Sequence, residues 1–460
     1  MLKCLIILIF RQNLDRMLLK LPLEIVEQII LQLPYVDILK VGTCCNVLRD
    51  ITNSQCFWEK CANRDFKVNL TCAKKHDCSK LEESVERSYS SRLFYRKVLR
   101  KYGIGLQRTW QRTNYDYYGG LVKLLYHNYM LHIVELDPPK YPSTHKPLQP
   151  RIIGQIFVCP YSSDVIVNYL EYKSTAEDDL KSRPIYSLEM DELNRTDETR
   201  FTMKLVSNPN PLPEVMELSS RWYDTDGDQS KEIELSKRLG IHRDMAQLRF
   251  KHQMLYILEG CQQFRSINMK PLHDTKNCPI QPGVFKATYG SHGIEIIQLI
   301  YHKHLNEIVG LKITGDPNVP FDEVSFKTFT NKPITQEMMR NEDEIDYFEN
   351  LRKAYNLVND TDSKSDSSEE DPIPLPFELP KSFYLNEDLQ LDDLKQYTYR
   401  FASKIQIAMA SFHEPRYVDA HMVIFSEDAI AVINIDLKSL KICHRIKENI
   451  TDLVNYEEVF

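Results

Sequence analysis

The chain has 460 residues and only 14 glycines, under half the usual share of about 7%, which excludes collagen-like, glycine-linker and prion-like classes. Lys and Arg total 58 against 65 Asp and Glu, and the net charge of −7 leaves no strongly basic footprint for nucleic acid. Hydrophobic residues at 42% and charged residues at 27% fit a globular chain of roughly two to four domains with a sizeable core.

Eleven cysteines is an odd number, and Cys4, Cys44, Cys45, Cys56, Cys61, Cys72 and Cys78 crowd the first 78 residues. A secreted disulfide scaffold would be shorter and more evenly paired, so free thiols in a reducing compartment are expected. Cys4 to Phe10 is an apolar run too short to span a bilayer, and Arg11 follows it with no small-residue cleavage site. Residues 1–19 therefore read as an N-terminal extension, and no membrane segment is expected.

Residues 20–66 read as three helices. Leu21-Pro22 starts the first, which carries Ile25, Ile29, Ile30 and Leu33 at helical spacing until Pro34. Asp37 is placed to cap a second helix with Ile38, Val41, Cys45 and Leu48, and Asn53 or Ser54 a third with Phe57, Trp58 and Cys61. Residues 67–108 form a connecting segment, polar to 90 and helical over 91–102. From 109 to 358 the text is β-rich: an apolar strand over 121–134, prolines at 138, 139, 142, 147 and 150, and short alternating runs over 151–210. Strands follow at 284–288, 294–301 and 308–313. Helical patterns interrupt them at 232–263 and 337–357. Residues 359–371 hold six acids and no apolar side chain, and with Pro372, Pro374, Pro376 and Pro380 they predict a linker over 359–381. Residues 382–460 return to strands, clearest at 422–425 and 429–437.

Leu21, Pro22, Glu24, Ile25, Ile29, Ile30, Leu33, Asp37, Leu39, Val41, Cys45, Arg49 and Trp58 resemble an F-box in order and spacing. Leu48 stands where many F-boxes have tryptophan. The resemblance implies a three-helix hook that docks on a Skp-type adaptor, and so on a cullin-RING ubiquitin ligase, by helix-in-groove contact. Its implied adaptor contacts are Leu21, Pro22, Ile25, Ile29, Ile30 and Leu33. Further on, TWQRTNYDYYGGL (109–121), PGVFKATYGSHGIEI (282–296) and LKITGDPNVP (311–320) resemble the F-box only protein 31 family. The implied fold is α+β: an N-terminal three-helix F-box, then an antiparallel β-barrel-like substrate domain with inserted helices. The implied clients are chains presenting a C-terminal end, a D-type cyclin and C-terminally amidated proteins among them. The family's middle region carries a Cys/His zinc site. Here Cys159 stands almost alone over 151–231 without histidine, so no metal and no cofactor are expected.

A terminal carboxamide offers donors as well as an acceptor, whereas a carboxylate only accepts, so a fixed acceptor favours the amide. Asp316 is the candidate acceptor, with Asn318, Thr314 and the segment Tyr289, Gly290, Ser291, His292 and Gly293 around it. Asp316-Pro317-Asn318 is equally an ordinary turn sequence in which Asp caps its own backbone. Ser291 and His292 with Asp316 invite a serine-hydrolase reading. Adjacent residues on an extended segment point apart, however, and no nucleophile-elbow glycines surround Ser291. Cys72, His76 and Cys78 do not match common zinc spacings. Ser367 and Ser368 precede Glu370 and Asp371 by three residues, a pattern suited to an acid-directed kinase. The expected role is a non-catalytic substrate receptor in the cytoplasm and nucleus, with no nucleic-acid or membrane partner. The alternative is an adaptor-tethered binding module without ligase output.

Overall fold

Prolines punctuate the first helices. α1 (Leu23–Leu31) starts behind Pro22 and α2 (Tyr35–Val41) behind Pro34, where a missing N–H costs nothing. α3 spans Asn46–Asn53, and α4 (Gln55–Phe66) is capped by Ser54, whose hydroxyl accepts from the Phe57 N–H at 3.2 Å. The segment read as one second helix is thus two, and Asp37 lies in the first turn of α2 rather than at its cap. Val26, Ile30, Ile38, Leu48, Phe57 and Trp58 form the core of this bundle. The buried Trp58 indole donates to the Thr52 carbonyl at 2.7 Å, so its polar edge is satisfied. Ser91–Phe94 runs on through a π turn, Tyr95–Leu99, and Tyr95 lays its ring 5.0 Å from Trp58.

The computed structural model describes residues 18, 20–70, 90–113, 117–139, 143–158, 164–169, 185–191, 200–207, 261–267, 278–340, 345–360, 374–379, 394–448 and 453–454. They fall into two compact units. One comprises Met1–Gln107, Leu124–His132 and Gly154–Asn168; the other comprises Arg108–Lys123, Ile133–Ile153 and Tyr169–Phe460. Among the described residues no helix is long and apolar enough to cross a membrane. Cys44, Cys45, Cys56, Cys61, Cys278 and Cys443 are free thiols.

The β-rich part closes twice. β1 (Thr109–Arg112), β2 (Leu121–His127), β3 (Met130–Asp137), β4 (Gln149–Val158), β5 (Val165–Tyr169), β6 (Ile185–Asp191), β7 (Arg200–Ser207) and β8 (Cys261–Ile267) form one barrel in chain order. The run read as a single strand over 121–134 is β2 and β3, turned at Asn128 and Tyr129, both at positive φ as a type I′ turn requires. The second barrel takes β9 (Gly283–Thr288), β10 (Ile294–His302), β11 (Glu307–Lys312), β12 (Val324–Pro333), β15 (Tyr399–Met409), β16 (His413–Ser426), β17 (Ala429–Asn434) and β18 (Ser439–Arg445), which returns to β9. All of its pairs are antiparallel. The helix expected at 232–263 lies outside the described residues except Cys261–Gln263, which open β8.

Alternate residues of the second barrel fill its interior: Phe285 and Ala287, Ile297 and Leu299, Phe326, Phe401 and Ile405, Ala420 and Met422, Ile430 and Val432. β17 up to Ile433 and the Met422–Phe425 stretch of β16 are apolar on both faces, because a second cluster covers their outer side. That cover is α5 (Tyr347–Asp360), with Leu351, Ala354 and Val358, and the segment carrying Phe377 and Leu379. β13 (Leu375–Pro376) pairs with β14 (Gln396–Tyr397) beside it. The linker expected over 359–381 is therefore corrected at both ends. Asn359 and Asp360 finish α5, and residues 374–379 are docked because Phe377 and Leu379 have apolar surface to bury. Residues 361–373, with Ser367 and Ser368, lie outside the described set.

Candidate functional site

On α1, Ile25 and Ile29 stand one turn apart and are 42% and 41% exposed, continuous with Leu21, Pro22 and Leu23. Val36 and Val47 add exposed apolar surface from α2 and α3. Ile30 and Leu33, expected beside them as adaptor contacts, are buried in the bundle core. They hold α1 in place against the bundle. Leu23, Val36 and Val47 are exposed apolar residues that the sequence reading did not single out.

The second barrel carries charge at one end of its interior. The β9–β10 hairpin turns through Gly290–His292, with Gly290 at φ 56 and Gly293 at φ 82. His292 is thus on a 3₁₀ turn rather than an extended segment, and its Nε2 lies 4.0 Å from Asp316 Oδ1. The Ser291 side chain lies outside the described set, so the hydrolase reading gains no geometry. Lys312, fully buried at the end of β11, places Nζ 2.7 Å from Glu295 Oε2, 2.6 Å from Asp316 Oδ2 and 4.3 Å from the Tyr289 ring centre. Lys441, half-buried on β18, lies over the same ring at 3.9 Å. The Tyr289 and Ser325 hydroxyls bond at 2.6 Å. Thr314 accepts the Ile296 N–H at 2.8 Å, and Asn318 Nδ2 donates to the Ala408 carbonyl at 2.8 Å.

Asp316 is first of all the cap of its own turn. Oδ1 accepts the N–H groups of Asn318 at 2.7 Å and Val319 at 3.0 Å, and Oδ2 accepts from Lys312. Three of about four lone-pair positions are filled, so the free acceptor expected there is largely spent. Of the residues singled out in sequence, Tyr289, His292, Thr314, Asp316 and Asn318 lie near one another, and Glu295, Lys312, Ser325 and Lys441, which the sequence reading did not single out, stand beside them. Register was the available signal: Glu295 has the parity of inward Ile297 and Leu299, and Lys312 that of inward Ile308.

One ammonium between two buried carboxylates cannot keep both ionised equally. Burial alone would raise Asp316, but Lys312 and then His292 hold it well below the usual carboxylate range. Burial, beating the pull of Lys312, pushes Glu295 up to about 8. Burial and the neighbouring Lys312 bring Lys441 down to about 7. Folded Glu295 therefore holds a proton that the unfolded chain releases above its ordinary 4.5. Its contribution to stability is full below pH 4.5 and lost as pH rises through about 8. Glu295→Gln is expected to remove this loss, so the variant gains on wild type from pH 5 to 8 by up to about 1.4 kcal/mol per pH unit. Urea midpoints across that range measure it, and parallel curves would refute a protonated Glu295.

Among the described residues no group of three or more His, Cys, Asp or Glu side chains is placed to hold a metal. Cys72, His76, Cys78 and Cys159 lie outside them.

Comparison with known proteins identifies both parts. Residues 18–60 match the F-box domain family, and residues 264–449 match the Cyclin D1 binding domain family. F-box only protein 31-B of Xenopus laevis is 23% identical over 486 residues, covering 94% of this chain and 84% of that protein. F-box only protein 31 of Rattus norvegicus and of Mus musculus are each 26% identical over 321 residues, covering 66% of this chain and 54% of theirs. The chain thus spans about half the length of these two relatives. With a match to the F-box domain family ahead of a match to the Cyclin D1 binding domain family, and a barrel within the second matched stretch, the chain is similar to the F-box only protein 31 proteins of vertebrates.

Proposed function

We propose that this chain is the substrate receptor of a Skp-cullin-F-box ubiquitin ligase. Residues 20–66 hold the adaptor, and the β-rich part from 109 onward holds the C-terminal end of a client. The supporting observation is the pairing of an exposed apolar row on α1 with a polar, charged end in an otherwise apolar barrel. A solvent-facing apolar row marks an interaction surface, and a charge cluster kept at the end of an apolar barrel, where apolar packing would serve stability as well, suits recognition. The receptor performs no bond chemistry. It raises the effective concentration of client lysines near a separate ubiquitin-charged enzyme, in the cytoplasm and nucleus.

The client end is read at Tyr289, Gly290, Ser291, His292, Gly293, Thr314, Asp316 and Asn318, with Glu295, Lys312 and Lys441 beneath. A D-type cyclin and C-terminally amidated chains are the client classes. An ionised Asp316 and a protonated Glu295 suit a neutral terminal amide, which both donates and accepts, better than a second carboxylate. Paired peptides differing only in amide or acid at the terminus test this by calorimetry: the amide is expected to bind about tenfold tighter at pH 7.5, one charge–charge contact's worth. Equal affinities would remove the amide preference. Client half-life with and without the receptor separates ligase output from mere tethering, and an unchanged half-life would leave only a binding module.

A further inference from the structure

The backbone that carries the charged cluster is gripped from behind by one side chain of β1. Gln111 is 2% exposed, and its Nε2 donates to the carbonyls of Lys312 and Ile313, both at 3.3 Å. Its Oε1 accepts from Arg265 Nη2 at 2.8 Å. Arg265, on β8, forks onto Asp322 at 2.5 and 3.2 Å. The Asp322 N–H closes the circuit on the same Lys312 carbonyl at 2.8 Å. Asp322 reaches that position at φ 67, a left-handed conformation that Asp tolerates better than most residues.

The next residues are equally constrained. Thr314 bridges to Gly119, the Gly315 N–H donates to the Tyr118 carbonyl at 2.9 Å, and the Phe321 N–H to the Tyr117 carbonyl at 3.0 Å. A Cβ on Gly315 would lie 2.2 Å from the Phe321 nitrogen. The described residues of the sequence blocks 109–121 and 311–320 are therefore hydrogen-bonded into one structural piece. The side chains of Lys312 and Asp316 leave this piece on the other side, toward Glu295 and His292.

We propose that Gln111 is a positioning residue for client recognition: through Arg265 and Asp322 it fixes the Lys312–Asp316 turn, whose charges discriminate between client ends. The inference rests on the receptor reading above. Packing alone would be met by leucine at this buried position. An amide whose two donors and acceptor are all spent on a loop and its tether supplies direction as well as volume. A recognition group left loose by about 1 Å loses selectivity, which is what such a support prevents.

The test uses the full chain bound to its adaptor, with Gln111→Leu, which keeps volume and deletes the bonds. Asp322→Asn, at the exposed end of the relay, covers the case in which Gln111→Leu fails to fold. Two quantities are read: backbone hydrogen exchange, and the affinity ratio for the amide- and acid-ended peptides. Gln111→Leu is expected to speed exchange at the Asn318 and Val319 amides at least tenfold, leave β15–β17 unchanged, and bring the peptide ratio toward one. Asp322→Asn should shift both the same way by a smaller factor. Unchanged exchange at 318 and 319 overturns the proposal, and so does faster exchange with an unaltered peptide ratio, which marks a purely structural role. If the wild-type chain binds neither peptide, the receptor reading falls and takes the client clause with it. Exchange at 318 and 319 still decides whether Gln111 fixes the turn.

Discussion

Replacing Lys312 by methionine is expected to cost about 3–5 kcal/mol of folding stability, the usual penalty for breaking a buried ion pair from one side. Methionine fills the space of the lysine stem, so cavity formation adds little. What remains is an ionised Asp316 without its cation, beside the Glu295 carboxyl. The two backbone N–H groups on Asp316 Oδ1 persist and set the lower end of the range. Adding Asp316→Asn to Lys312→Met should recover part of the loss, because the stranded charge is then gone; the double-mutant cycle measures the coupling directly. The pH dependence has a definite sign. Asp316, with a lowered folded pKa, contributes stability above its ordinary 3.8 that is lost only as pH falls through the lower folded value. The gap between wild type and variant is therefore widest near neutrality and narrows below about pH 4, where the variant's Asp316 is already protonated. Urea unfolding at pH 7 and pH 3.5 checks both statements. A cost under about 1 kcal/mol at pH 7 would mean that water reaches the carboxylates and that the cluster is not a desolvated site.

Local chemistry was the part of this chain that could be read from letters. Pro22 and Ser54 set helix starts and Pro34 stops the first helix because their effects act within one turn, whereas the start of α2 behind that same Pro34 was assigned to Asp37. Strands β9, β10 and β11 were legible from apolar alternation over a few residues. Closure was not, since β12 pairs with β15 across the whole of 334–398 and no local pattern encodes that partner. The same limit hid the role of Phe377 and Leu379: proline spacing reads as linker until an apolar outer sheet face is known to lie beside it. On α1 the failure was one of angle. At 3.6 residues per turn Ile29 and Ile30 diverge by about 100°, so a helix with two apolar stripes shows which residues are apolar but not which stripe meets a partner. Asp316 offered both a turn cap and an acceptor, and the N–H groups that fill its Oδ1 come from Asn318 and Val319, two and three residues on. Lys441 and Ser325 enter the site only through barrel closure, which no spacing reveals.

The α1 surface gives the largest expected effect on function. Ile25→Asp with Ile29→Asp should lower affinity for a Skp-type adaptor at least about 100-fold, because each buried isoleucine is worth about 1.5–3 kcal/mol and each aspartate adds a desolvation cost. Both side chains are solvent-facing in the free chain, so the variant should unfold at nearly the same urea midpoint as wild type. Ile30→Val supplies the opposite control. Ile30 is buried in the bundle, so losing one methylene costs about 0.5–1.5 kcal/mol of stability while leaving adaptor affinity of the folded chain unchanged. The two variants thus move different observables from adjacent positions. Co-purification that survives Ile25→Asp with Ile29→Asp would show that the exposed stripe is not the docking face. If Ile30→Val weakened the adaptor more than the double aspartate did, the assignment of faces would be reversed, and α1 would have to turn by about 100° to dock.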